Sequence, residues 1–189
     1  MRKTHPKLFV GLFASLGVIA LGAIALWWLG PHHGAARLHH SGAHDEANMP
    51  GLNGVDISTT EIADLKALFQ QHTALRREVK LLPNGVTTIT ETDDVPLRAA
   101  LVTHVIQMVE RLQQQRNPQV IIQSPTLDQL FSQADQITTQ VTPTATGIAV
   151  TQTSDNPSVV ALLHQHAGEV SDMAERGMQA VHERMMSTN

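Results

Sequence analysis

Residues 68–105 read LFQQHTALRREVKLLPNGVTTITETDDVPLRAALVTHV, and residues 130–167 read LFSQADQITTQVTPTATGIAVTQTSDNPSVVALLHQHA. Written one above the other, the two stretches share hydrophobic, glycine and histidine positions at an interval of 62 residues, which indicates an internal duplication. The matching residues are Leu65 and Leu127, Leu68 and Leu130, Phe69 and Phe131, Gln71 and Gln133, Val79 and Val141, Gly85 and Gly147, Ala99 and Ala161, Leu101 and Leu163, and His104 and His166.

The interval changes to 61 in one part of the repeat, where Thr90 matches Thr151 and Asp94 matches Asp155. This change predicts that one residue was lost and then regained between the halves. Asp94 and Asp155 each stand two residues before a proline. Because aspartate is a good N-cap and proline is tolerated in the first turn, each aspartate is predicted to begin a long helix.

Each half of the repeat predicts the order helix, strand, strand, helix. The first helix is expected to begin near Ser58, which has the capping-box spacing to Glu61. The strands are rich in Val, Ile and Thr, and a glycine ends each predicted hairpin turn, at residues 83–85 and 145–147. If the two hairpins join, they form one four-stranded antiparallel sheet.

The second helix of each half carries an apolar stripe that is expected to cover the dry face of this sheet. The stripes are Leu97, Leu101, Val105, Met108 and Leu112 in the first half, and Val159, Leu163, Ala167, Val170, Ala174, Met178 and Val181 in the second. The predicted fold class is therefore α+β, with an N-terminal transmembrane helix followed by a two-layer domain from a duplicated αββα unit.

The N-terminal region predicts a membrane anchor. Residues 8–30 are uncharged and long enough to cross a hydrocarbon layer of about 30 Å as a helix. Arg2, Lys3 and Lys7 precede this run, which places the N-terminus in the cytoplasm by the positive-inside tendency. A cleaved signal peptide is the alternative, because residues 23–25 form an A-x-A pattern.

Four segments follow from these patterns. Residues 1–30 are the cytoplasmic N-terminus and anchor, and residues 31–55 are a flexible tether. Residues 56–118 and 119–189 are the two repeats, which are expected to form one folded domain. The predicted location is the inner membrane of a bacterial cell. One helix crosses the lipid bilayer, and the C-terminal domain lies in the periplasm or outside.

The composition disfavours several partners. Beyond Pro50 the chain has nine Lys or Arg against fifteen Asp or Glu, so no basic surface for nucleic acid is expected. Phe69 and Phe131 are its only aromatic residues there, which leaves few platforms for stacking bases. The chain has no cysteine, so disulfides and thiolate metal sites are excluded.

The tether is rich in histidine, and imidazole is a good ligand for copper, zinc and nickel. A flexible run of imidazoles is therefore a candidate for transient metal capture, although a solvated, pH-sensitive linker explains it equally well. The tether histidines are His32, His33, His39, His40 and His44.

His104 and His166 form the main candidate site. The duplication places them at equivalent points on two helices that are expected to pack side by side, so their rings are predicted to converge on copper, another transition-metal ion or haem b. Met108, one turn from His104, and His72, after the first helix, are candidate additional ligands. The alternative is that both are half-buried histidines whose match reflects common ancestry alone. His164 is expected to be solvated.

Catalysis is disfavoured, because the chain lacks a phosphate loop, a metalloprotease motif and a glycine-flanked nucleophilic serine. The leading hypothesis is a membrane-anchored metal- or haem-binding protein outside the cytoplasm. The alternative is a non-catalytic accessory or scaffold subunit that docks on a membrane protein complex. A homodimer and a histidine-based pH sensor stay open, and the methionines of the C-terminal helix are expected to be mainly core residues.

Overall fold

A computed structural model describes residues 48–187, which form an α+β fold with a four-stranded antiparallel sheet and five helices. Three short 3-10 turns lie at Pro50–Leu52, His72–Ala74 and Ala134–Gln136. The elements, in chain order, are α1 (Thr59–Gln70), β1 (Arg76–Leu82), β2 (Gly85–Glu91), α2 (Val95–Gln113), α3 (Pro125–Ser132), β3 (Thr138–Pro143), β4 (Gly147–Thr153), α4 (Pro157–Arg176) and α5 (Met178–Ser187).

The sheet has the order β1-β2-β4-β3, so the two hairpins join through β2 and β4 as predicted. At the centre of this junction Thr88 lies opposite Val150, and these residues are 62 positions apart. Gly85 lies opposite Thr153, and Glu91 lies opposite Gly147, which is the same pairing with the halves exchanged. The register therefore has two-fold pseudo-symmetry about an axis between Thr88 and Val150.

The predicted change of interval to 61 is wrong, because the structure keeps 62 throughout. The Thr92 hydroxyl accepts from Asp94 N at 3.2 Å, and the Ser154 hydroxyl accepts from Asn156 N at 3.1 Å. Asn156, rather than Asp155, is the N-cap of α4, and its Oδ1 accepts from Ser158 N at 2.9 Å. Pro157 is the first residue of α4, whereas Pro96 is the second residue of α2.

The other two predicted helix starts are confirmed. Ser58 and Glu61 form a capping box, in which Glu61 N donates to Ser58 Oγ at 3.2 Å and Ser58 N donates to Glu61 Oε2 at 2.8 Å. Asp94 caps α2 and accepts from Leu97 N at 2.7 Å. These side chains satisfy amide groups that the first turn of a helix leaves without partners.

Each long helix packs on the hairpin of the opposite half. Helix α2 packs on α1 and on strands β3 and β4, whereas α4 packs on α3 and on strands β1 and β2. The prediction that α2 and α4 pack side by side is therefore wrong, because each follows the other half's strands and a space remains between them. The halves are interlocked rather than adjacent.

The C-terminal stripe is divided between two helices, although it was predicted as one. Helix α4 ends at Arg176, and α5 begins at Met178. Gly177 lies between them with φ 58°, a conformation that suits glycine. A Cβ at this position would come within 2.7 Å of the His72 ring, so the bend also makes room for His72.

The hydrophobic core is formed by residues of both halves. The cluster beneath α4 joins Val86 of β2 to Leu130, Val159, Leu163 and Ala167. Two further clusters are centred on Leu52 with Val181, and on Leu112 with Phe131. All three clusters lie within residues 48–187, so this segment contains its own hydrophobic core.

The predicted anchor, residues 8–30, and the five tether histidines lie outside the described residues. From residue 48 to residue 187, no helix combines the length and apolar character needed to cross a membrane.

Candidate ligand-binding site

The space between α2 and α4 is a cavity of about 320 Å³ above the sheet. Val86, Thr88 and Val150 contribute to it from the central strands, and Leu101 and Leu163 contribute from the two long helices. Most of its lining is apolar. Ligand pockets of proteins commonly measure about 300–1,000 Å³ and combine apolar walls with a few polar groups, so this cavity has the character of a small ligand site.

His104 reaches this cavity from α2. Burial lowers the pKa of His104 to about 4, against the opposing attraction of the Glu61 carboxylate, so the imidazole is neutral at pH 7. Among the described residues neither ring nitrogen of His104 has a hydrogen-bond partner. A neutral imidazole without a partner is available to bind a ligand or a metal ion.

His166 reaches the same cavity from α4. Its Nδ1 is buried without a hydrogen bond and lies 3.9 Å from Glu169 Oε2. Ser124 Oγ and Thr126 Oγ1 donate to Glu169 at 2.7 Å and 2.6 Å. Burial acts to raise the pKa of Glu169, but interactions with His166, Thr126 and Ser124 outweigh it and lower this pKa to about 2. Glu169 is therefore a fixed negative charge beside His166.

Met108 and His72 also line the cavity, so the four residues expected to share a site border one space. His72 is less available than His104, because its Nδ1 donates to the carbonyl oxygen of Ala174 at 3.1 Å. Its Nε2 lies over Gly177 at the bend between α4 and α5. His72 therefore supports the wall of the cavity beside the bend between α4 and α5.

His164 does not line this cavity, and the expectation that it is solvated is wrong. Its Nε2 lies 2.7 Å from the carbonyl oxygen of Gly85 and 3.2 Å from that of Leu82. The ring thus binds α4 to the first hairpin turn. The crossed packing of α4 on the first half explains this contact, because a helix that stayed on its own half would leave His164 in solvent.

Two arginines at the cavity, the buried Arg111 and the half-buried Arg77, were not identified from the sequence. Arg111 Nε donates to Glu61 Oε1 at 2.6 Å, and its Nη2 donates to Glu61 Oε2 at 3.0 Å. Arg77 also lines the cavity, and its Nη1 donates to Thr90 Oγ1 at 2.7 Å. The alternation of β1 carried a signal for Arg77, because it places Arg77 on the same face as Val79. Val79 lies opposite Thr88 of β2, which lines the cavity.

The methionines of the C-terminal region differ in their positions. Met173 lines the cavity, and Met178 packs with the core cluster around Val181. Met185 and Met186 are exposed at the end of α5. Within residues 48–187, no three histidine or acidic side chains are grouped in a way that would hold a metal ion. The cavity is thus not a preformed metal centre of that kind.

Comparison of the chain with models of known protein families, with curated proteins and with solved structures finds no match.

Proposed function

We propose that the domain is a non-catalytic binding protein whose cavity takes haem or a similar apolar metal complex through His104 and His166. The observation that carries this proposal is the position of the two imidazoles, which the repeat makes equivalent and which line one apolar cavity. Two histidines that approach from opposite walls are a common means of holding haem iron in electron-transfer proteins.

Haem suits this site better than a bare metal ion does. A bare ion would require more ligands than two imidazoles, and the described residues offer no grouped third histidine or carboxylate. A haem supplies four nitrogen ligands itself and needs only axial ligands from the protein. Copper remains the favoured bare ion, because the thioethers of Met108 and Met173 also line the cavity.

The state of His104 supports this proposal. Its neutral ring requires no loss of a proton before it binds iron at pH 7. For His166, Glu169 provides a nearby carboxylate that would stabilise a ring polarised by the metal. The surroundings of His104 and His166 therefore differ chemically, although the repeat makes the two positions equivalent.

In the full proposal, residues 8–30 anchor the chain in the inner membrane of a bacterium, and the domain lies outside the cytoplasm. The histidines at positions 32, 33, 39, 40 and 44 would then raise the local concentration of a transition-metal ion near the domain. The mainly apolar lining of the cavity favours binding of an apolar ligand over catalysis.

The test is a spectroscopic titration of residues 42–189 with ferric haem. His104→Ala and His166→Ala each remove one candidate ligand, and His182→Ala is the matched control, because His182 does not line the cavity. Circular dichroism would confirm that each variant is folded. The same set of proteins would be titrated with copper(I).

We expect the wild-type domain and the His182→Ala control to bind one equivalent of haem with a low-spin spectrum. Each single variant should give a high-spin or much weaker complex, and the double variant should bind none. Equal haem spectra for the wild-type domain and the double variant would contradict the proposed ligands.

A docking role is the second candidate, and the outer face of the sheet favours it. Helices α2 and α4 pack on the opposite face, so a row of threonines remains outside, where Thr87 Oγ1 and Thr151 Oγ1 are 3.0 Å apart. A polar sheet face that no helix covers suits contact with another protein. A folded domain that binds neither haem nor metal but is captured with a membrane complex would favour this role.

A further inference from the structure

Arg77 is a half-buried cation in the cavity wall that has no acidic partner. Its Nη1 donates to Thr90 Oγ1 at 2.7 Å and its Nε donates to Ser171 Oγ at 3.3 Å, and both acceptors are neutral hydroxyls. No carboxylate of residues 48–187 lies within 4.0 Å of its guanidinium. Within the same residues, Nη2 donates to no atom.

Arg111 provides the contrast, because it lines the same cavity but is fully paired. Two of its nitrogens bind Glu61, and a third donates to Asp56 at 3.2 Å. Glu61 is thereby paired with Arg111 and forms no ion pair with Arg77. The repeat does not explain Arg77 either, since its equivalent is Thr139. The cation is therefore a feature of one side of the cavity alone.

An arginine in such a place costs folding free energy. Burial lowers the pKa of the Arg77 guanidinium to about 10, so it is still charged at neutral pH. Taking an ion out of water without a counter-ion is unfavourable. A bound anion would remove this cost, and the planar fork of a guanidinium matches a carboxylate particularly well.

We propose that the ligand of this cavity carries a carboxylate that binds Arg77. This inference rests on the proposed function to the extent that the cavity binds a ligand, and it adds the class of ligand: an apolar molecule with an acidic group. Two sources share this chemistry, namely the propionate of haem and the head group of a fatty acid.

The first arm of the test compares haem with haem dimethyl ester, in which both propionates are esterified, on residues 42–189. Wild-type protein should bind the free acid about ten- to a hundredfold more tightly, as expected for a hydrogen-bonded charge pair. Arg77→Gln should abolish this preference. Arg76→Gln is the matched control, since Arg76 is adjacent in β1, exposed and paired with Asp93 at 2.8 Å.

The second arm compares palmitate with hexadecanol, measured by calorimetry on the same three proteins. Preference for palmitate that is lost only in Arg77→Gln identifies a fatty acid as an acceptable ligand. Arg77→Met in ligand-free protein provides a separate readout: removal of this half-buried, unpaired charge should raise the Tm by about 2–4 °C while binding of the acid weakens. An arginine that served only the fold would give a lower Tm.

The outcomes separate this inference from the proposed function. Haem bound through His104 and His166 with no preference over its ester overturns the role of Arg77 and leaves the histidine site intact. Palmitate bound through Arg77, with no haem bound, overturns the histidine site and supports Arg77. Binding of none of the four compounds overturns both.

Discussion

Thr88 and Val150 lie opposite one another at the centre of the sheet and are the same position of the internal repeat. An axis between them relates the two halves, and both residues line the cavity. His104 and His166 stand on either side of that axis. The duplication thus explains both why the sheet is continuous and why an imidazole enters the cavity from each long helix.

The symmetric strand junction depends on two glycines. A Cβ on Gly147 would lie 2.0 Å from Thr90 O, and a Cβ on Gly85 would lie 2.0 Å from Gln152 O. Since the neighbour is backbone, Gly147→Ala is expected to destabilise the domain by at least about 2 kcal/mol in urea unfolding. Gly168→Ala in α4 is the control, because a Cβ at this position would have no neighbouring atom within 4 Å. It should stabilise by about 0.5–1 kcal/mol. A neutral Gly147→Ala would show that the strands can separate.

The buried pair of Arg111 and Glu61 joins α1 to α2. Glu61→Gln leaves Arg111 with a weaker set of partners and is expected to cost about 3 kcal/mol in urea unfolding at pH 7. Arg116→Gln, which affects an exposed pair with Asp56, is the control and should cost much less. Similar losses in the two variants would mean that burial of the first pair does not matter.

Acid should weaken the same pair. The hydrogen bonds of Arg111, opposed by burial, lower the pKa of Glu61 from 4.5 to about 2. A carboxyl group with a lowered pKa in the folded state stabilises fully above its unfolded pKa and loses this effect as the pH falls towards the folded value. The wild-type domain should therefore lose stability between about pH 5 and pH 2 in denaturant titrations. Glu61→Gln should lose less over this range, and an equal loss would exclude Glu61 as the cause.

His104 predicts a pH dependence that begins at a higher pH. Its pKa is lowered from 6.5 to about 4, so below pH 6.5 the unfolded chain binds a proton that the folded domain does not bind. Stability should therefore fall as the pH decreases from 6.5 to 4, by up to about 1.4 kcal/mol per pH unit from this residue. The difference in unfolding free energy between the wild-type domain and His104→Leu, measured at intervals over this range, isolates the effect. A constant difference would contradict a His104 ring that stays neutral in the folded domain.

The interlocked halves predict that neither is stable alone. Residues 42–118 would lack the α4 helix that covers β1 and β2, and residues 119–189 would lack α2, which covers β3 and β4. Circular dichroism should show each fragment to be largely unfolded, and mixing the two should restore the sheet. A fragment that folds alone with a cooperative transition would contradict the crossed packing.

The order of elements, both hairpins and the joined sheet were predictable because they depend on local patterns and on the repeat. The crossed packing was not, since the stripe on α2 shows which face is buried but not which hairpin it meets. Asp155 was preferred over Asn156 as a cap because a one-residue shift aligned Pro96 with Pro157, whereas strand pairing fixes the interval at 62.

The candidate site was predictable in part. The repeat identified His104 and His166, and the structure places both on one cavity. The cavity itself was not predictable, because an apolar stripe looks the same whether the space beside it is filled or open. Arg77 was overlooked although the alternation of β1 places it on the face of Val79, because the adjacent Arg76 is the same residue type and is exposed.

The most direct test of the account is a crystal structure of residues 42–189 after incubation with haem. The account predicts haem between α2 and α4, with its iron bound by one ring nitrogen of His104 and one of His166. Haem bound elsewhere on the domain, or inside the cavity with neither imidazole on the iron, would contradict it.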